Sequence, residues 1–96
     1  MLSFRDIEKA RERIKGIIIQ TPIIHSNYFS KISKNEIYFK LENLQRTGSF
    51  KVRGAANKLK VLKQRRKKEV IAASAGNHAQ GVAFSATMLG MKSTIV

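Results

Sequence analysis

Short apolar segments alternate with amphipathic helical patterns along this chain, and this alternation constrains the possible folds more than any other feature. Apolar residues recur with the period of a helix after Ser49 and again between His78 and Leu89, where Gly90 follows as a helix stop. Strands that alternate with helices predict βαβ units and a parallel sheet, so the expected fold class is α/β. The predicted strands are Glu36–Leu41, Val70–Ala73 and one that begins at Thr94, and the predicted loops are 42–48 and Ser74–Asn77.

The N-terminal third begins with a helix-start signal. Ser3 and Asp6 have the spacing of a capping box, and apolar residues then recur at helical spacing, which predicts a helix over residues 4–15 that ends at Gly16. After it we expect extended segments at Ile17–Ile19 and Ile23–Ile24, a break at Thr21-Pro22 and a short helical turn within Ser26–Ser33.

The charge balance is the one feature of the composition that favours a different function. The net charge is +13, from 19 lysines and arginines against six acidic residues, as in a small nucleic-acid-binding protein. The densest block, Lys63–Lys68, has five basic residues in six positions and no interleaved aromatic residue on which a base could stack. A solvated helix end is therefore the favoured interpretation, and a polyanion site remains the alternative.

Targeting and redox signals are missing from the sequence. No apolar run approaches the ~20 residues that cross a bilayer, so no membrane partner is expected. The basic segment Met1–Lys15 carries Asp6, Glu8 and Glu12, which fits neither a secretory signal nor an acid-poor transit peptide. Without cysteine no disulfide framework is possible, and a cytoplasmic location is expected.

The first loop with chemical potential precedes a lysine. The segment from Thr47 to Ala55 places Lys51 in the first turn of a helix, after a glycine loop that follows a strand. The positive end of a helix dipole disfavours a cation, and an amine must be neutral to attack an aldehyde. The exposed amides of the same turn attract phosphate. By residue type alone, Lys51 would still be one of many surface lysines.

The second loop, from Ser74 to Gly81, also lies between a strand and a helix start. Unpaired backbone amides there can hold a carboxylate, although Asn77 could instead cap the helix with no ligand present. His78 is ambiguous between a base and a hydrogen-bonded structural residue, and His25 is expected to be structural. With two histidines and no cysteine, no metal site is expected.

Taken together, the two loops resemble one enzyme family. The segment Leu41–Ala55 resembles the cofactor-lysine segment of threonine dehydratases, which use pyridoxal 5'-phosphate (PLP), and Ser74–Gly81 resembles their substrate loop. Thr21-Pro22 and the Ile-Tyr-Phe-Lys-Leu-Glu strand also match, so the resemblance covers nearly the whole chain. It implies the fold-type II architecture of PLP enzymes, the tryptophan synthase β-like fold, of which this chain would contain an incomplete parallel βαβ sheet.

The resemblance also implies a role for each matching residue. Lys51 would bind PLP covalently and then remove the α-proton of the substrate, Phe50 would pack beside the pyridine ring, and Asn77 would hydrogen-bond the phenolic oxygen of the ring. The substrate carboxylate would be surrounded by Ser74, Ala75, Gly76, Asn77 and His78, largely through backbone amides. The implied reaction is dehydration and deamination of threonine to 2-oxobutanoate and ammonia, or of serine to pyruvate.

Two neighbouring families resemble the chain to different degrees. Cysteine synthases usually follow the lysine with Asp-Arg, whereas this chain has Val52-Arg53, so they fit less well. Serine racemases fit better, but they commonly carry a serine acid/base where this chain has Ala75. A methyl group cannot reprotonate the opposite face of a carbanion, so Ala75 favours elimination over racemisation.

The resemblance further implies how the chain is divided. Residues 1–65 would belong to the larger catalytic domain and residues 66–96 would begin the smaller one, in line with the composition change over 63–69. The glycine-rich phosphate loop and the partner of the pyridine nitrogen would lie beyond Val96, so the 96-residue chain is expected to be poorly folded alone and inactive. Relatives of this kind tend to form dimers or tetramers, so a homo-oligomer is expected.

Overall fold

The computed structural model describes all residues from Met1 to Val96 as an α/β chain of four helices and four short strands. No helix is both long and apolar enough to cross a membrane. In chain order the elements are α1 (Phe4–Ile14), β1 (Ile23–His25), α2 (Asn27–Ser33), β2 (Tyr38–Lys40), a 3-10 turn (Glu42–Leu44), α3 (Lys51–Gln64), β3 (Glu69–Ala72), α4 (Asn77–Met88) and β4 (Lys92–Ile95).

Side-chain caps mark the starts of α1 and α2. The Ser3 hydroxyl accepts a hydrogen bond from the Asp6 amide at 3.3 Å, and Asp6 Oδ2 accepts one from the Ser3 amide at 2.9 Å, which completes the capping box of α1. The Ser26 hydroxyl caps α2 by accepting from the Phe29 amide at 3.2 Å. These local signals fix where each helix begins because they satisfy amides that have no partner within the helix.

Strands β3 and β4 form the predicted parallel pair, with α4 as the crossover between them. Their register runs from Glu69 opposite Lys92 to Ala72 opposite Ile95. Only one face of this pair is covered, because α4 packs against Val70 and Ala72 whereas Ile71 is 76% exposed on the other face. The result is a single βαβ unit with one covered face.

Strands β1 and β2 pair antiparallel, which differs from the parallel arrangement expected along the whole chain. The Ser26 amide donates to the Ile37 carbonyl at 2.9 Å, so α2 is a closed excursion whose two ends stay side by side. Because the chain comes back beside the end of β1 after α2, β2 runs antiparallel to β1. Neither strand nor α2 contributes a buried residue, so this half of the molecule leaves its apolar side chains open.

The segment Ile17–Ile19 is not a strand, contrary to the expectation from its β-branched residues. Gly16 adopts a φ of +83°, after which the amides of Ile17 and Ile18 both donate to the Ile14 carbonyl, at 3.0 and 3.3 Å. This turn places Ile17 in the core, where it is 7% exposed. Burial of the side chain outweighs the strand propensity of the residue type.

The core lies between α3 and α4 and is closed on one side by α1. Its nine buried members are Ile14, Ile17, Ala55, Ala56, Leu59, Val82, Ala86, Leu89 and Met91. With 14 of 96 residues buried in total, the core is small.

Candidate active site

Lys51 is the first residue of α3, in the helix turn where the sequence predicts it. The loop before it turns at Gly48, which has a φ of +73° and whose amide donates to the Gln45 carbonyl at 2.9 Å. The Ser49 hydroxyl then accepts a hydrogen bond from the Lys51 amide at 3.4 Å. The lysine side chain is exposed, and its Nζ makes no ion pair or hydrogen bond. Its one close partner is the Phe50 ring, whose centroid lies 4.4 Å away.

The second loop is organised by Ser74. The Ser74 hydroxyl accepts hydrogen bonds from the amides of Gly76, at 3.3 Å, and Ala79, at 3.2 Å. The N-cap position of α4 is Gly76, so the alternative in which Asn77 caps the helix is wrong. Asn77 is instead the first helical residue, and neither its side chain nor that of His78 makes a hydrogen bond.

The amides of Asn77 and His78 are left without an acceptor in the structure. They lie in the first turn of α4, where no carbonyl of the helix can reach them. Both residues are exposed, so the two N–H groups and the positive end of the helix dipole face a space that a ligand could occupy. This arrangement suits an anionic group such as a carboxylate.

The two loops lie at the same end of the helix pair because α3 and α4 run parallel. At one end, Gly81 meets the backbone of Lys51 and Val52; at the other, Lys63 Nζ donates to the Leu89 carbonyl at 2.6 Å. Since Gly81 is in the second turn of α4, the first turn of α4 extends past the start of α3 by one turn, roughly 6 Å. The amides of Asn77 and His78 therefore lie about one helical turn beyond the backbone of Lys51, at the same end of the helix pair.

A polar network anchors the segment that leads to Lys51. Glu42 accepts from Arg53 through both carboxylate oxygens, one of them at 3.2 Å from Nη2, and also from the Thr21 hydroxyl at 2.5 Å. The Gln45 side chain accepts a hydrogen bond from the Ile19 amide at 2.8 Å and donates one to the Ile19 carbonyl at 2.9 Å. Since Arg53 belongs to the first turn of α3, the network ties the lysine-bearing turn to two earlier segments of the chain.

The same network controls the ionisation of Glu42. The hydrogen bonds from Arg53 are the main cause that lowers the pKa of this carboxyl from 4.5 to about 2, and burial opposes them. The side chain of Glu42 is 14% exposed and that of Arg53 is 32% exposed, so the pair is partly shielded from water. At neutral pH Glu42 is a fixed negative charge, which balances Arg53 close to Lys51 in sequence.

The residues present fit a PLP group. The amine of Lys51 is not engaged by any carboxylate, and the adjacent Phe50 is 58% exposed, which offers an aromatic surface to a planar ring. The hydroxyl of Thr47 in the preceding loop is buried with no hydrogen-bond partner, and the amides of Asn77 and His78 have no acceptor. An unpaired amine, an open aromatic face and unsatisfied donors are the kinds of groups that such a cofactor and its amino-acid substrate require.

The second histidine, His25, lies outside the candidate site. His25 is the last residue of β1, and its Nε2 atom is 2.8 Å from Glu36 Oε2 and 3.2 Å from the Ser30 hydroxyl, so it is hydrogen-bonded in the way expected of a structural histidine. No group of three or more histidine, aspartate or glutamate side chains is arranged to hold a metal ion.

Sequence reasoning missed Glu42, Gln45, Arg53 and Gly81 as contributors to this site. A signal existed for Gly81, because a glycine inside a helical pattern costs stability and usually has a packing reason. For Glu42 the signal was weaker: it is one of only six acidic residues in a strongly basic chain. Its pairing with Arg53 could not be read from spacing, since the two residues belong to different elements.

Comparisons with known proteins agree with the geometry. The family described as "Pyridoxal-phosphate dependent enzyme" matches residues 14–96. The chain is 54% identical to the catabolic L-threonine dehydratase of Staphylococcus aureus over its whole length, and it covers 28% of that protein. The curated relatives are thus much longer, and the chain spans about a quarter of their length, 24% in one case and 28% in another.

Solved structures of similar proteins superpose closely on the chain. A threonine deaminase from T.th. gives a TM-score of 0.87 at 40% identity, over 99% of this chain and 33% of that one. Serine racemase from Dictyostelium discoideum gives 0.88 at 36% identity, over 96% and 31%. The expected fold-type II architecture is therefore confirmed. The chain belongs to the family of pyridoxal-phosphate-dependent enzymes.

Proposed function

We propose that the protein containing this chain is a PLP-dependent threonine dehydratase, also called threonine ammonia-lyase, which acts on L-threonine and L-serine. The observation that carries the proposal is the unpaired Lys51 amine at the start of α3, at the same end of a parallel helix pair as the free amides of Asn77 and His78. The similarity to a catabolic L-threonine dehydratase over the whole chain supports the choice of reaction.

Each residue of the site has a defined task in this proposal. Lys51 would hold PLP through its amine, and Phe50 would pack beside the pyridine ring. Asn77, whose side chain has no hydrogen-bond partner in the structure, would donate a hydrogen bond to the phenolic oxygen. When bound, PLP supplies a sink for the electron pair left at the α-carbon of the substrate.

Residues of this chain would bind the substrate and transfer its α-proton. The loop residues Ser74, Ala75, Gly76, Asn77 and His78 would surround the amino-acid carboxylate, and the free amides of Asn77 and His78 would bind it, helped by the positive end of the α4 dipole. The Lys51 amine would remove the α-proton and pass that proton to the β-hydroxyl as its bond to the β-carbon breaks, so that the hydroxyl leaves as water. The released enamine tautomerises and hydrolyses, which gives 2-oxobutanoate and ammonia from threonine.

The direct test is to incubate the complete protein with PLP and L-threonine and to measure 2-oxobutanoate. Borohydride reduction of the same preparation, followed by peptide mass analysis, is expected to leave the PLP label on Lys51. Formation of no 2-oxo acid, or a label on another lysine, would reject the proposal.

Serine racemase is the second candidate, because a serine racemase superposes as well as a threonine deaminase does. Ala75 argues against it, since its methyl group cannot deliver a proton to the opposite face of the α-carbon. We therefore expect elimination products to exceed D-serine by at least about 100-fold. Chiral chromatography of the products from L-serine checks this, and D-serine as a main product would favour the racemase.

The basic block Lys63–Lys68 does not require a nucleic-acid partner. Lys63 Nζ caps the end of α4 through the Leu89 carbonyl, and the other basic residues of the block are exposed at the end of α3. This supports a solvated helix end. Salt-dependent binding of DNA or RNA at physiological ionic strength would favour the nucleic-acid alternative.

The broader setting follows from the proposed reaction. We propose that residues 1–65 belong to the larger catalytic domain and residues 66–96 to the smaller one, so the cofactor would lie between them. We also propose a cytoplasmic homo-oligomer that serves threonine catabolism or isoleucine biosynthesis. This boundary would fall at the turn Arg65-Arg66, where Arg66 has a φ of +61° and α3 gives way to β3, although α3 and α4 share one core across it.

A further inference from the structure

We infer that Gly81 is a positioning residue for Lys51, an inference that rests on the proposed function and adds a residue to it. A Cβ atom on Gly81 would lie 3.1 Å from the Lys51 carbonyl carbon, 3.1 Å from the Val52 nitrogen and 3.2 Å from the Lys51 carbonyl oxygen. No other glycine of the chain has a neighbour within 4 Å of its would-be Cβ. Because Gly81 has no side chain, α4 packs directly against the peptide group between Lys51 and Val52.

The three neighbouring atoms belong to the main chain, which makes the contact rigid. A side-chain tip could rotate away from an added methyl group, whereas the Lys51–Val52 peptide is held in the first turn of α3. Val52 is fully buried, and Ala55 and Ala56 in the next turn pack in the core. The approach is closer than ordinary van der Waals contact, so a methyl group would move the start of α3 relative to α4 by a few tenths of an ångström.

That displacement would change the distance between Lys51 and the amides that would hold the substrate, and the proposed reaction depends on this distance. Lys51 is attached to α3, whereas the amides of Asn77 and His78 that would hold the substrate are attached to α4. Gly81 lies one turn after Asn77 on the same helix, so it is the contact that sets the spacing between the two groups. A misplacement of 1 Å between a substrate and a catalytic group can cost about 100-fold in rate.

The chain supplies its own matched control. Gly54 is also in the interior of a helix, α3, but it is exposed and has open space around its would-be Cβ. Glycine in a helix interior is less favourable than alanine, so Gly54→Ala is expected to leave the protein as stable or slightly more stable. The same substitution therefore tests the contact at one position and helix propensity alone at the other.

The experiment compares Gly81→Ala with Gly54→Ala in the complete protein loaded with PLP. For Gly81→Ala we expect a fall in kcat for threonine of at least about 10-fold, calculated per borohydride-labelled Lys51, with a smaller change in KM and a shifted absorbance maximum of the bound cofactor. For Gly54→Ala we expect kcat within about twofold of the parent and an unchanged spectrum.

Each other outcome decides against the inference. If Gly81→Ala matches Gly54→Ala in kcat and spectrum, the glycine does not position the lysine. If Gly81→Ala does not fold under conditions where Gly54→Ala does, its role is structural only. A borohydride label on a lysine other than Lys51 in the parent protein would instead reject the proposed function, and the two failures are therefore distinguishable.

Discussion

Replacing Lys51 with alanine is expected to lower kcat for threonine by about 1,000-fold or more and to abolish borohydride trapping of PLP at this position. In the proposed function, this variant would lose the amine that holds the cofactor and moves the α-proton. Its fold should be retained, because the side chain is exposed and makes no hydrogen bond or ion pair. The measurements are 2-oxobutanoate formation, thermal unfolding and peptide mass analysis after reduction.

Two further variants separate the amine from the charge. Lys51→Arg keeps a cation beside the Phe50 ring but remains protonated, so it should be as inactive as the alanine variant. Lys58→Ala removes another exposed lysine from α3 and should leave kcat within about twofold. Near-normal activity of either Lys51 variant would show that another residue carries the chemistry.

The positions of the two loops could be predicted from sequence because their signals are local. At each site a strand, a loop and a helical pattern follow one another, the first loop being polar and the second made of small residues, and the structure starts α3 at Lys51 and α4 at Asn77. What the local pattern could not supply is the cap of α4. Asn77 has the right residue type for it, but in the folded loop the Ser74 hydroxyl reaches the amides of Gly76 and Ala79 instead.

The meeting of the two loops was not predictable from periodicity. It depends on the parallel packing of α3 and α4, which Gly81 sets at one end and Lys63 at the other. These contacts join residues that are far apart in the chain, and only the packed core brings them together. The turn at Ile17 has the same cause, since burial of this side chain in the core outweighs its strand preference.

The largest effect on stability is expected at Glu42. Glu42→Gln preserves the shape of the side chain but leaves the charge of Arg53 unbalanced. It also replaces one carboxylate oxygen by an amide nitrogen, which cannot accept the hydrogen bond that Arg53 or Thr21 donates there. A fall in pKa from 4.5 to about 2 corresponds to an upper limit of about 3 kcal/mol at neutral pH. Because the Arg53 side chain is 32% exposed, solvent screening reduces the expected loss to about 1–2 kcal/mol.

The pH dependence of this loss identifies its origin. The pKa of Glu42 is lower in the folded protein than in the unfolded chain, so its contribution is complete above pH 4.5 and disappears as the pH falls toward 2. The difference in unfolding free energy between the parent and Glu42→Gln, measured by urea titration, should therefore shrink over that range. Glu12→Gln is the matched control: it removes an exposed pair with Lys15 at 3.7 Å and should cost less than about 0.5 kcal/mol at any pH. If the Glu42→Gln difference stays constant from pH 7 to pH 3, the ion pair is not its source, and the lysine-bearing turn is anchored by the neutral hydrogen bonds alone.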